Sequence, residues 1–474
     1  MPRLSDAGQH AGAAPPRYRY RHVWTACVLG LAGCSSSPAV APDPGLGPAT
    51  VLHLQGAQGN LSPSRSKAIL QRLSRGVEET GIFDHHLARE QAIVGSPLTT
   101  GNRVLLLQDG PATYAAMLAA IVGARDHINM ETYILDDDDV GRRFARALID
   151  RQRDGVQVNL IRDSFGTLGT PAAFFQQLRD AGIQVLEFNP LNPLMARKEW
   201  ELNQRDHRKL LIVDGRTAFL GGINISSVYS GGSFSQGMRA RPAGSPAWRD
   251  TDLQLEGPVV AELQSLFLAT WTAQRGPSLA PRAYFPPAVS AGREVVRAIG
   301  SSPDEAVSTI YATLISAIAS AETSVRLTNA YFAPDPRLLA ELEAAAARGV
   351  DVTLILPSQS DAWLVFHAGR ASYERLLRAG VKIHERRGVI LHSKTALIDG
   401  VWATVGSTNL DWRSFVHNHE LNAVVLGADF GGQLQAMFES DLAASEAITL
   451  EEWRRRPLQF RLQEWLGKLW DYWL

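Results

Sequence analysis

Along most of the chain, apolar stretches of helical length alternate with short runs of β-branched residues. The clearest helical stretches are rich in alanine and lie at 115–125 and 338–348. Helices that alternate with short strands are typical of α/β units built around a central sheet. The hydrophobic pattern therefore predicts an α/β fold in which mixed β-sheets are flanked by helices.

A motif of polar residues on an apolar background occurs twice. The sequence HRKLLIVDG at 207–215 recurs as HSKTALIDG at 392–400, and GGIN at 221–224 recurs as GSTN at 406–409. Histidine, lysine, aspartate and asparagine all recur at the same offset of 185 residues. Weaker similarity extends upstream of both copies, so the repeat involves whole α/β units. We therefore predict two homologous halves related by a pseudo-two-fold axis, with the two motifs facing each other.

The length and composition fit a globular protein of roughly two to three domains. The chain has 474 residues, of which 45% are hydrophobic and 20% are charged, and these values exclude a wholly disordered chain. The formal net charge of -1 argues against a protein that is basic overall and binds nucleic acid, although it leaves a local basic groove open. No apolar run reaches about 18 residues, so we expect no mature membrane-spanning helix.

The two cysteines, Cys27 and Cys34, both lie close to the N-terminus. The rest of the chain therefore has no disulfide framework, no cysteine-rich zinc site and no cysteine nucleophile. Any role for these thiols belongs to the N-terminal segment.

That segment has the features of a secretory signal in the required order. Arginines within 17–21 precede an apolar stretch at 23–33, and LAGCSSS occupies 31–37. The order resembles the signal and cleavage box of bacterial lipoproteins, which implies that Cys34 is lipidated and becomes the first mature residue. Ser35 then favours the outer membrane over the inner, with the protein anchored on the periplasmic side. The alternative is a short helix with an incidental cysteine.

Each motif copy is predicted to lie on a β-hairpin. Histidine and lysine alternate in both copies, so on a strand their side chains project from the same face. The Asp-Gly pairs at 214–215 and 399–400 separate two apolar runs and are strong turn signals. The returning strand ends in a pair of small residues, which is predicted to let Asn224 or Asn409 approach the histidine.

Folding the halves together would place two histidines, two lysines and two asparagines around one pocket. This set of side chains suits in-line displacement at phosphorus. One imidazole attacks and the other protonates the leaving oxygen, because an ordinary histidine pKa of about 6.5 allows one neutral and one charged ring. Ammonium and amide groups hold the non-bridging oxygens, which predicts phosphate binding by Lys209, Lys394, Asn224 and Asn409. No metal or cofactor is expected.

The doubled HxKxxxxD and G[GS]xN pattern resembles the phospholipase D superfamily over nearly all of 101–445. In that family one histidine becomes a covalent phosphohistidine, and the other is a general acid and then a base. The resemblance implies that His207 is the nucleophile and His392 the acid, with the reverse assignment left open because the site is nearly symmetric. The motif also groups Asp214 and Asp399 with the catalytic residues, but both head tight turns, which favours a structural role.

Carboxylates are expected to orient the two histidines and to fix their tautomers. Family comparison identifies Glu420, in NHELN at 418–422, as the partner in the second half. In the first half the matching segment is WRDTD at 248–252, where Asp250 is the candidate. A glycine- and serine-rich insertion at 230–246 precedes this segment and blurs the alignment.

Several short segments resemble bacterial cardiolipin synthases. They include METY at 130–133, WRDT at 248–251, LEGPV at 255–259 and NLDWRS at 409–414. The resemblance implies transfer of a phosphatidyl group between phospholipids, with phosphatidylglycerol and, as a further candidate, phosphatidylethanolamine as substrates. Full-length synthases carry two N-terminal membrane spans. Because this chain has the lipoprotein-like box instead, we expect attachment to the membrane surface by acyl chains.

The C-terminal segment is predicted to form an amphipathic helix with arginines and a lysine around an apolar stripe. The residues of the stripe are Leu458, Leu462, Trp465, Leu466, Leu469, Trp470 and Trp473. Such a stripe suits a helix that packs on the catalytic body or one that lies in a membrane interface.

These features divide the chain into five segments. The divisions are 1–34, a lipoprotein signal peptide and lipobox; 35–100, a linker and N-terminal lead-in, of which 38–66 is interpreted as a flexible tether; 101–290 and 291–450, the two phospholipase D-like halves; and 451–474, the C-terminal amphipathic helix.

Three functions are compatible with the sequence. A lipid-modifying enzyme, either a phosphatidyltransferase or a phospholipase D that releases phosphatidic acid, agrees best with the intact motifs. A phosphodiesterase that acts on nucleic acid is disfavoured by the near-neutral charge and the lipoprotein-like box, so no nucleic-acid partner is expected. A lipoprotein with an inactive scaffold is disfavoured because both motif copies are complete.

Overall fold

The computed structural model describes residues 54–73, 82–191, 203–231, 246–305 and 307–469, all within one compact unit, Ala39–Leu474. The predicted signal segment with Cys34, residues 232–245 of the insertion, and Trp470 and Trp473 of the C-terminal stripe lie outside the described residues. Signal cleavage and lipidation therefore stay predictions. None of the described helices is long and apolar enough to cross a membrane.

The described strands are numbered in chain order. They are β1 Leu54–Gly56, β2 Gly59–Asn60, β3 Leu98–Gln108, β4 His127–Thr132, β5 Gln157–Asp163, β6 Gln184–Phe188, β7 Arg205–Asp206, β8 Lys209–Val213, β9 Thr217–Gly221, β10 Ala247–Arg249, β11 Thr251–Glu256, β12 Glu294–Ser301, β13 Ser324–Asn329, β14 Asp351–Pro357, β15 Lys382–Arg386, β16 Val389–Leu391, β17 Lys394–Ile398, β18 Trp402–Gly406, β19 Asn418–Leu426 and β20 Ser445–Ile448.

The described α-helices are numbered in the same way. They are α1 Pro63–Leu73, α2 Leu87–Ile93, α3 Asp109–Gly123, α4 Asp139–Arg153, α5 Ala172–Asp180, α6 Val259–Ala273, α7 Thr309–Ala319, α8 Pro336–Ala347, α9 Trp363–Arg370, α10 Tyr373–Arg378, α11 Trp412–Val416, α12 Ala428–Ala443, α13 Leu450–Arg455 and α14 Leu458–Leu469.

Each half contains a mixed sheet, and the two sheets have the same strand order. In the first half the order is β6–β5–β4–β8–β9–β11–β3. In the second half the equivalent order is β15–β14–β13–β17–β18–β19–β12, and β20 pairs antiparallel with β15 as an additional edge strand. The three strands at the outer end of each order are parallel, and the other neighbours are antiparallel. The matching orders confirm the predicted α/β duplication and the predicted mixed sheets.

The two sheets are joined edge to edge, and the halves share a core. β3 and β12 pair antiparallel, with Thr99 opposite Val296. One buried cluster combines apolar residues of α6 and α12 with strand residues of both halves, including Phe267, Phe430 and Val405. Because this cluster contains side chains from both repeats, we expect the halves to unfold together rather than as separate domains.

The outer face of each sheet is covered by its own helices. In α4 the buried residues Val140, Phe144 and Leu148 recur at every fourth position, so one stripe faces the first sheet. Leu342 of α8 and Leu376 of α10 are fully buried against the second sheet. The motif hairpins, β8–β9 and β17–β18, lie in the middle of their sheets, and the inner edge strands β3 and β12 join the two halves.

Asp214 and Asp399 head the two predicted Asp-Gly turns and accept hydrogen bonds from backbone. Both residues have positive φ, 54° and 49°. Asp214 Oδ1 accepts from the N–H groups of Asp126 and His127, at 2.8 and 3.0 Å, and Asp399 makes equivalent bonds at the start of β13. The motif lysines are the first residues of β8 and β17, and these turns follow the last residues of the same strands. Both aspartates thus have a structural role, and the geometry does not support grouping them with the catalytic residues.

Residues 54–66 form regular structure, so the prediction of a flexible tether over 38–66 is wrong for this part. Leu54 of β1 pairs in parallel with Leu98 of β3, and α1 begins at Pro63. Leu54 is fully buried in the core of the second half. Its apolar side chain joins that core while its strand covers the end of β3, a tertiary contact that composition alone does not reveal.

The C-terminal segment forms two helices, α13 and α14, and not one, because Pro457 interrupts the pattern between them. α14 packs on α9 through its polar side, where Glu464 is 3% exposed. The apolar stripe is exposed, with Leu458 at 78%, Leu462 at 58% and Trp465 at 58%. Of the two predicted placements, packing of the stripe on the catalytic body is therefore wrong for the described residues.

Replacing Asp399 by alanine is expected to lower the free energy of unfolding by about 2–4 kcal/mol. The substitution leaves three backbone N–H groups around the start of β13 without their acceptor. It also places alanine, whose side chain cannot form a local hydrogen bond, at a positive φ of 49°. Urea unfolding followed by circular dichroism measures the loss.

The matched control is Asp150→Ala on α4. This substitution removes a carboxylate that is 67% exposed and lies 4.0 Å from its partner, the exposed Arg153. We expect this variant to stay within about 0.5 kcal/mol of the parent protein. Equal losses in the two variants would contradict a structural role for Asp399.

Candidate active site

The two motif copies bring their histidines and lysines into one buried site between the halves. His207 and His392 are 7% and 4% exposed, and Lys209 and Lys394 are 3% and 2% exposed. Each lysine Nζ donates a hydrogen bond to the backbone carbonyl of the histidine two residues before it. The charge of each motif lysine acts on the histidine of the other half. The structure therefore assembles all four side chains as the repeat predicted.

Each histidine is held by a carboxylate from the opposite half. His207 Nδ1 lies 3.0 and 3.1 Å from the two carboxylate oxygens of Glu420. His392 Nδ1 lies 2.7 Å from Asp250 Oδ2. The expected pairing, in which each carboxylate serves the histidine of its own half, is wrong. The partners are exchanged between the halves, and both carboxylates are fully buried.

Two short parallel strand pairs between the halves explain the exchange. β7 ends one residue before His207 and pairs with the start of β19, which continues into Glu420. β10 ends one residue before Asp250 and pairs with β16, which ends one residue before His392. Parallel pairing places the residues that follow paired strands side by side. Spacing within one half could not reveal this, because both pairings join residues far apart in the sequence.

The small residues after β9 and β18 accommodate these carboxylates. A Cβ atom on Gly222 would lie 2.3 Å from Asp250 Oδ1. At the equivalent place in the second half, Ser407 Oγ donates a hydrogen bond to Glu420 Oε2. These positions were predicted to let the motif asparagines approach the histidines. The space beside Gly222 and Ser407 is taken by the orienting carboxylates, and the approach of the asparagines to the histidines stays a prediction.

The two motif asparagines have different surroundings. Asn224 Oδ1 accepts from Ile134 N and its Nδ2 donates to Tyr229 Oη, both at 3.1 Å. These bonds lie inside the protein, so the structure does not support a direct phosphate contact for Asn224. Asn409 is buried, and its Oδ1 has no hydrogen-bond partner within the described residues. Phosphate binding by Asn409 stays a prediction.

A tyrosine ring faces each histidine–lysine pair, which the motif analysis did not single out. The Tyr133 ring lies 5.1 Å from the His207 ring, with Lys209 Nζ 5.2 Å from the Tyr133 centroid. The Tyr331 ring lies 5.9 Å from the His392 ring. Both tyrosines follow the central strands β4 and β13, at similar places in the two repeats. The internal repeat therefore carried the signal that could have identified them.

Two further aromatic residues contact only the histidine of the second half. Trp248 and Tyr229 lie 5.1 and 5.7 Å from the His392 ring, and Tyr229 Oη is 3.3 Å from His392 Nδ1. Both come from the first half, on either side of the insertion. Tyr229 lies in a short 3₁₀ turn and Trp248 on the three-residue strand β10, and such short elements give no periodic signal that would assign either side chain to the site. As a result, the two histidines of this pseudo-symmetric site have unequal surroundings.

Burial lowers the pKa of the imidazole and ammonium groups. It lowers the pKa of His207 from 6.5 to about 4, that of Lys209 to about 7 and that of Lys394 to about 8. The pKa of His392 is also lowered, by burial and then by Lys394. Burial raises the pKa of Glu420, but His207 and Lys209 outweigh it and leave that pKa lowered. At neutral pH, His207 is therefore neutral and donates its Nδ1–H to an ionised carboxylate.

The arrangement can hold an anionic phosphodiester and attack it. With Nδ1 of each histidine committed to a carboxylate, Nε2 is left for chemistry and has no hydrogen-bond partner in the described part of the chain. The two lysines supply charge for non-bridging oxygens. Within the described residues, no group of three or more His, Cys, Asp or Glu side chains is arranged to hold a metal ion.

Comparison with known proteins gives matches in sequence and in fold. The family described as "Cardiolipin synthase, PLD-like domain" matches residues 117–230 and 314–442, one segment in each half. A cardiolipin synthase of Geobacillus kaustophilus (strain HTA426) is 33% identical over 376 residues, covering 79% of this chain and 72% of that protein. Cardiolipin synthase A of Pseudomonas putida (strain W619) is 36% identical over 363 residues, covering 75% and 72%.

Among solved structures, the phosphatidylserine synthase of Haemophilus influenzae Rd KW20 has the same fold, with a TM-score of 0.59 at 13% identity. That alignment covers 81% of this chain and 99% of the other. Fold and doubled motif together define an enzyme of the phospholipase D class. Within that class, the chain belongs to the cardiolipin synthase family. The resemblance inferred from the motifs is confirmed, as is the prediction of an enzyme.

Replacing Gly222 by alanine is expected to lower kcat by about 100-fold. The added Cβ would lie 2.3 Å from Asp250 Oδ1, so the carboxylate is displaced and His392 loses the group that orients it. Release of nitrophenol from bis(nitrophenyl) phosphate measures the effect on a soluble diester.

The matched control is Gly432→Ala in α12, where an added Cβ meets no atom within 4 Å. Its activity should equal that of the parent enzyme, and its stability should be equal or slightly higher. An unchanged kcat in Gly222→Ala would show that Asp250 does not need its present position.

Binding of a soluble phosphodiester, such as glycerophosphoglycerol, is expected to weaken as the pH rises through the lysine pKa values of about 7 and about 8. Each lysine is charged below its pKa, and a bound anion raises that pKa. Binding above these values therefore takes up protons, and affinity falls by up to about tenfold per pH unit for each lysine that must be recharged.

Calorimetry in buffers of different ionisation enthalpy measures this proton uptake. In Lys209→Arg the guanidinium stays charged throughout, so the uptake should decrease and the affinity at high pH should be retained. Binding without proton uptake at high pH in the parent enzyme would contradict the lowered lysine pKa values.

Proposed function

We propose that this enzyme is a phosphatidyltransferase of the cardiolipin synthase type, which moves a phosphatidyl group between phospholipids through a phosphohistidine. The observation that carries the proposal is the pair of buried histidines, each bonded to a carboxylate of the opposite half and each next to a motif lysine. The names of the relatives, at 33% and 36% identity, support phospholipids as substrates. Phosphatidylglycerol is the proposed donor and acceptor, with phosphatidylethanolamine as a further donor.

In the first step, Nε2 of His207 attacks the phosphorus of phosphatidylglycerol. The new P–N bond forms as the P–O bond to the headgroup glycerol breaks. The leaving oxygen takes a proton from the imidazolium form of His392, which the charge of the bound phosphodiester favours, and free glycerol departs. Lys209 and Lys394 balance the charge on the non-bridging oxygens, which is greatest in the transition state.

In the second step, the terminal hydroxyl of another phosphatidylglycerol takes the place of the departed glycerol. The hydroxyl gives its proton to His392, now neutral, and its oxygen attacks the phosphorus. The P–N bond to His207 breaks, and the product is cardiolipin. If water enters instead of the alcohol, the same intermediate yields phosphatidic acid, so hydrolysis by a phospholipase D is the alternative outcome.

The assignment of roles rests on the unequal surroundings of the two Nδ1 atoms. Nδ1 of His207 meets only the carboxylate of Glu420 within the described contacts, which holds one tautomer and leaves the Nε2 lone pair for attack. Nδ1 of His392 lies near three groups, Asp250 at 2.7 Å, Lys394 Nζ at 2.9 Å and Tyr229 Oη at 3.3 Å. Such a cluster suits a ring that gives up a proton and later takes one.

A nucleic acid phosphodiesterase is the less favoured candidate. The formal net charge of -1 offers no general attraction for a polyanion, and the relatives named above are lipid enzymes. We also propose that acyl chains on Cys34 anchor the enzyme to the periplasmic side of a membrane, with the outer membrane favoured by Ser35. That part rests on the order of features in the sequence alone.

The test uses the full chain reconstituted with phosphatidylglycerol vesicles, with and without phosphatidylethanolamine, and lipid products resolved by mass spectrometry. Cardiolipin with release of glycerol is expected. His207→Ala and His392→Ala should each lower the rate by at least about 1,000-fold. His384→Ala, a partly buried histidine on β15, is the control and should leave the rate unchanged.

Phosphatidic acid as the sole product would identify a phospholipase D, and an absence of lipid turnover would direct the search to nucleic acids. A phosphatidyl nitrophenol substrate separates the two histidines, because nitrophenolate leaves without a proton. His392→Ala should then release one equivalent of nitrophenol in a burst and retain a covalent adduct. A burst in His207→Ala instead would reverse the assignment.

A further inference from the structure

Helices α9 and α14 together expose a group of large apolar side chains. The two helices touch closely, since a Cβ atom on Gly467 would lie 2.6 Å from Ala368 N. Phe460 is 38% exposed, and the other exposed members are Trp363 at 48%, Leu364 at 37%, Leu458 at 78%, Leu462 at 58%, Trp465 at 58% and Leu466 at 39%. We call these seven residues the α9–α14 platform.

The platform is not the incidental exposure of a surface helix. A surface helix in water buries its apolar stripe and exposes its polar face, whereas α14 does the reverse. Its buried side carries Glu464, which pairs with Arg456 at 2.6 Å, and Gly467, which allows the close approach to α9. Contiguous apolar surface of this kind marks a place where another apolar phase or molecule binds.

The platform begins at the wall of the active site. Asp361, two residues before α9, accepts a hydrogen bond from Tyr331 Oη at 2.7 Å, and the Tyr331 ring faces His392. Farther along α9, a Cβ on Gly369 would lie 1.8 Å from Phe332 O. α9 is therefore packed directly on the segment that carries the pocket tyrosine of the second half.

The first half has a matching apolar rim. Phe165 and Leu168, in the loop after β5, are 44% and 67% exposed. A Cβ on Gly166, between them, would lie 2.1 Å from Tyr133 O, so this loop packs on the pocket tyrosine of the first half. β5 and β14 hold equivalent places in the two sheets. Exposed apolar side chains thus lie beside the pocket tyrosine in both halves.

We propose that the α9–α14 platform and the Phe165–Leu168 loop dock together on the surface of a phospholipid bilayer and present the pocket to the headgroups. This inference rests on the proposed function, because the substrates of such an enzyme reside in that bilayer. Tryptophan and leucine beside exposed Arg461 and Lys468 match the apolar interior and the anionic headgroups of the interface. A second copy of the chain in this place would lie beside both pocket tyrosines and hinder access to the site.

The first experiment compares vesicle substrate with soluble substrate in the full chain. The variant combines Leu462→Ser, Trp465→Ser and Leu466→Ser, all exposed positions whose replacement should not affect folding. We expect kcat/KM on phosphatidylglycerol vesicles to fall by at least about tenfold, because apolar area no longer enters the interface. Turnover of monomeric short-chain phosphatidylglycerol should stay within about twofold, since chemistry needs no interface.

The matched control combines Val122→Ser and Val289→Ser, which are each 61% exposed and lie outside the platform. It should behave as the parent enzyme on both substrates. Every variant carries the same N-terminal segment, so any membrane affinity of that segment is common to all of them.

A second experiment locates the tryptophans. Lipids brominated in the acyl chain quench tryptophan fluorescence only on insertion, so Trp363→Phe and Trp465→Phe should each reduce the quenched fraction. Unchanged quenching in both variants, together with normal vesicle turnover by the triple variant, would overturn the docking surface. If light scattering shows a dimer that the triple variant abolishes while vesicle turnover stays normal, the platform is a contact between copies.

The two proposals fail in different ways. If the parent enzyme converts neither vesicle lipid nor short-chain lipid, the proposed function is wrong, while bromolipid quenching still tests the docking surface. If the parent enzyme converts both and the triple variant loses neither turnover nor quenching, the proposed function stands and the docking surface is wrong.

Discussion

The contact on which the rest of the site depends is the exchange of carboxylates between the two halves. Neither half can orient its own histidine, because Glu420 and Asp250 each serve the ring of the other repeat. Short parallel strand pairs create these contacts, and buried arginines stabilise the strands. Arg208 donates a hydrogen bond to the backbone oxygen of Glu420. Arg249 forms a bidentate ion pair with Asp441 of α12. The shared apolar core between α6 and α12 keeps the halves at the separation that these short polar bonds require.

The same burial that fixes the histidines also prepares the electrostatics of the pocket. Two imidazoles and two lysines lie among two carboxylates with almost no access to water, and removal of water lowers the pKa of Lys209 and Lys394 towards neutrality. An arriving phosphate anion supplies the negative charge that the site lacks and stabilises the ammonium forms. Because these donors are already in position, little reorganisation remains for the transition state. The ammonium forms of the two lysines are thus more stable when an anion is bound in the pocket than when none is bound.

Much of the fold and part of the site follow from the sequence, because the duplication is a strong signal. The repeat predicted the matching sheets, the Asp-Gly hairpins and the meeting of His207 with His392. It could not predict the exchange of carboxylates, since strand pairing between the halves joins residues far apart in the chain and leaves no local pattern. Tyr229 and Trp248 were not predicted for a related reason, since each lies in an element of three residues that shows no periodicity. The burial of Leu54 likewise depends on a core that composition does not reveal.

The departures from symmetry give the two histidines of this duplicated site different surroundings, as the proposed mechanism requires. Two identical imidazoles in identical surroundings would have equal proton affinities, and neither would be preferred as nucleophile or acid. In this chain the second half places Ser407 against its carboxylate where the first half has Gly222, and the first half alone contributes an aromatic hydroxyl beside the His392 ring. Each change alters the hydrogen bonding of one histidine and leaves the other untouched. In the mechanism that we propose, the repeat supplies the geometry for in-line displacement, and the small differences between its copies supply the difference in roles that the two steps require.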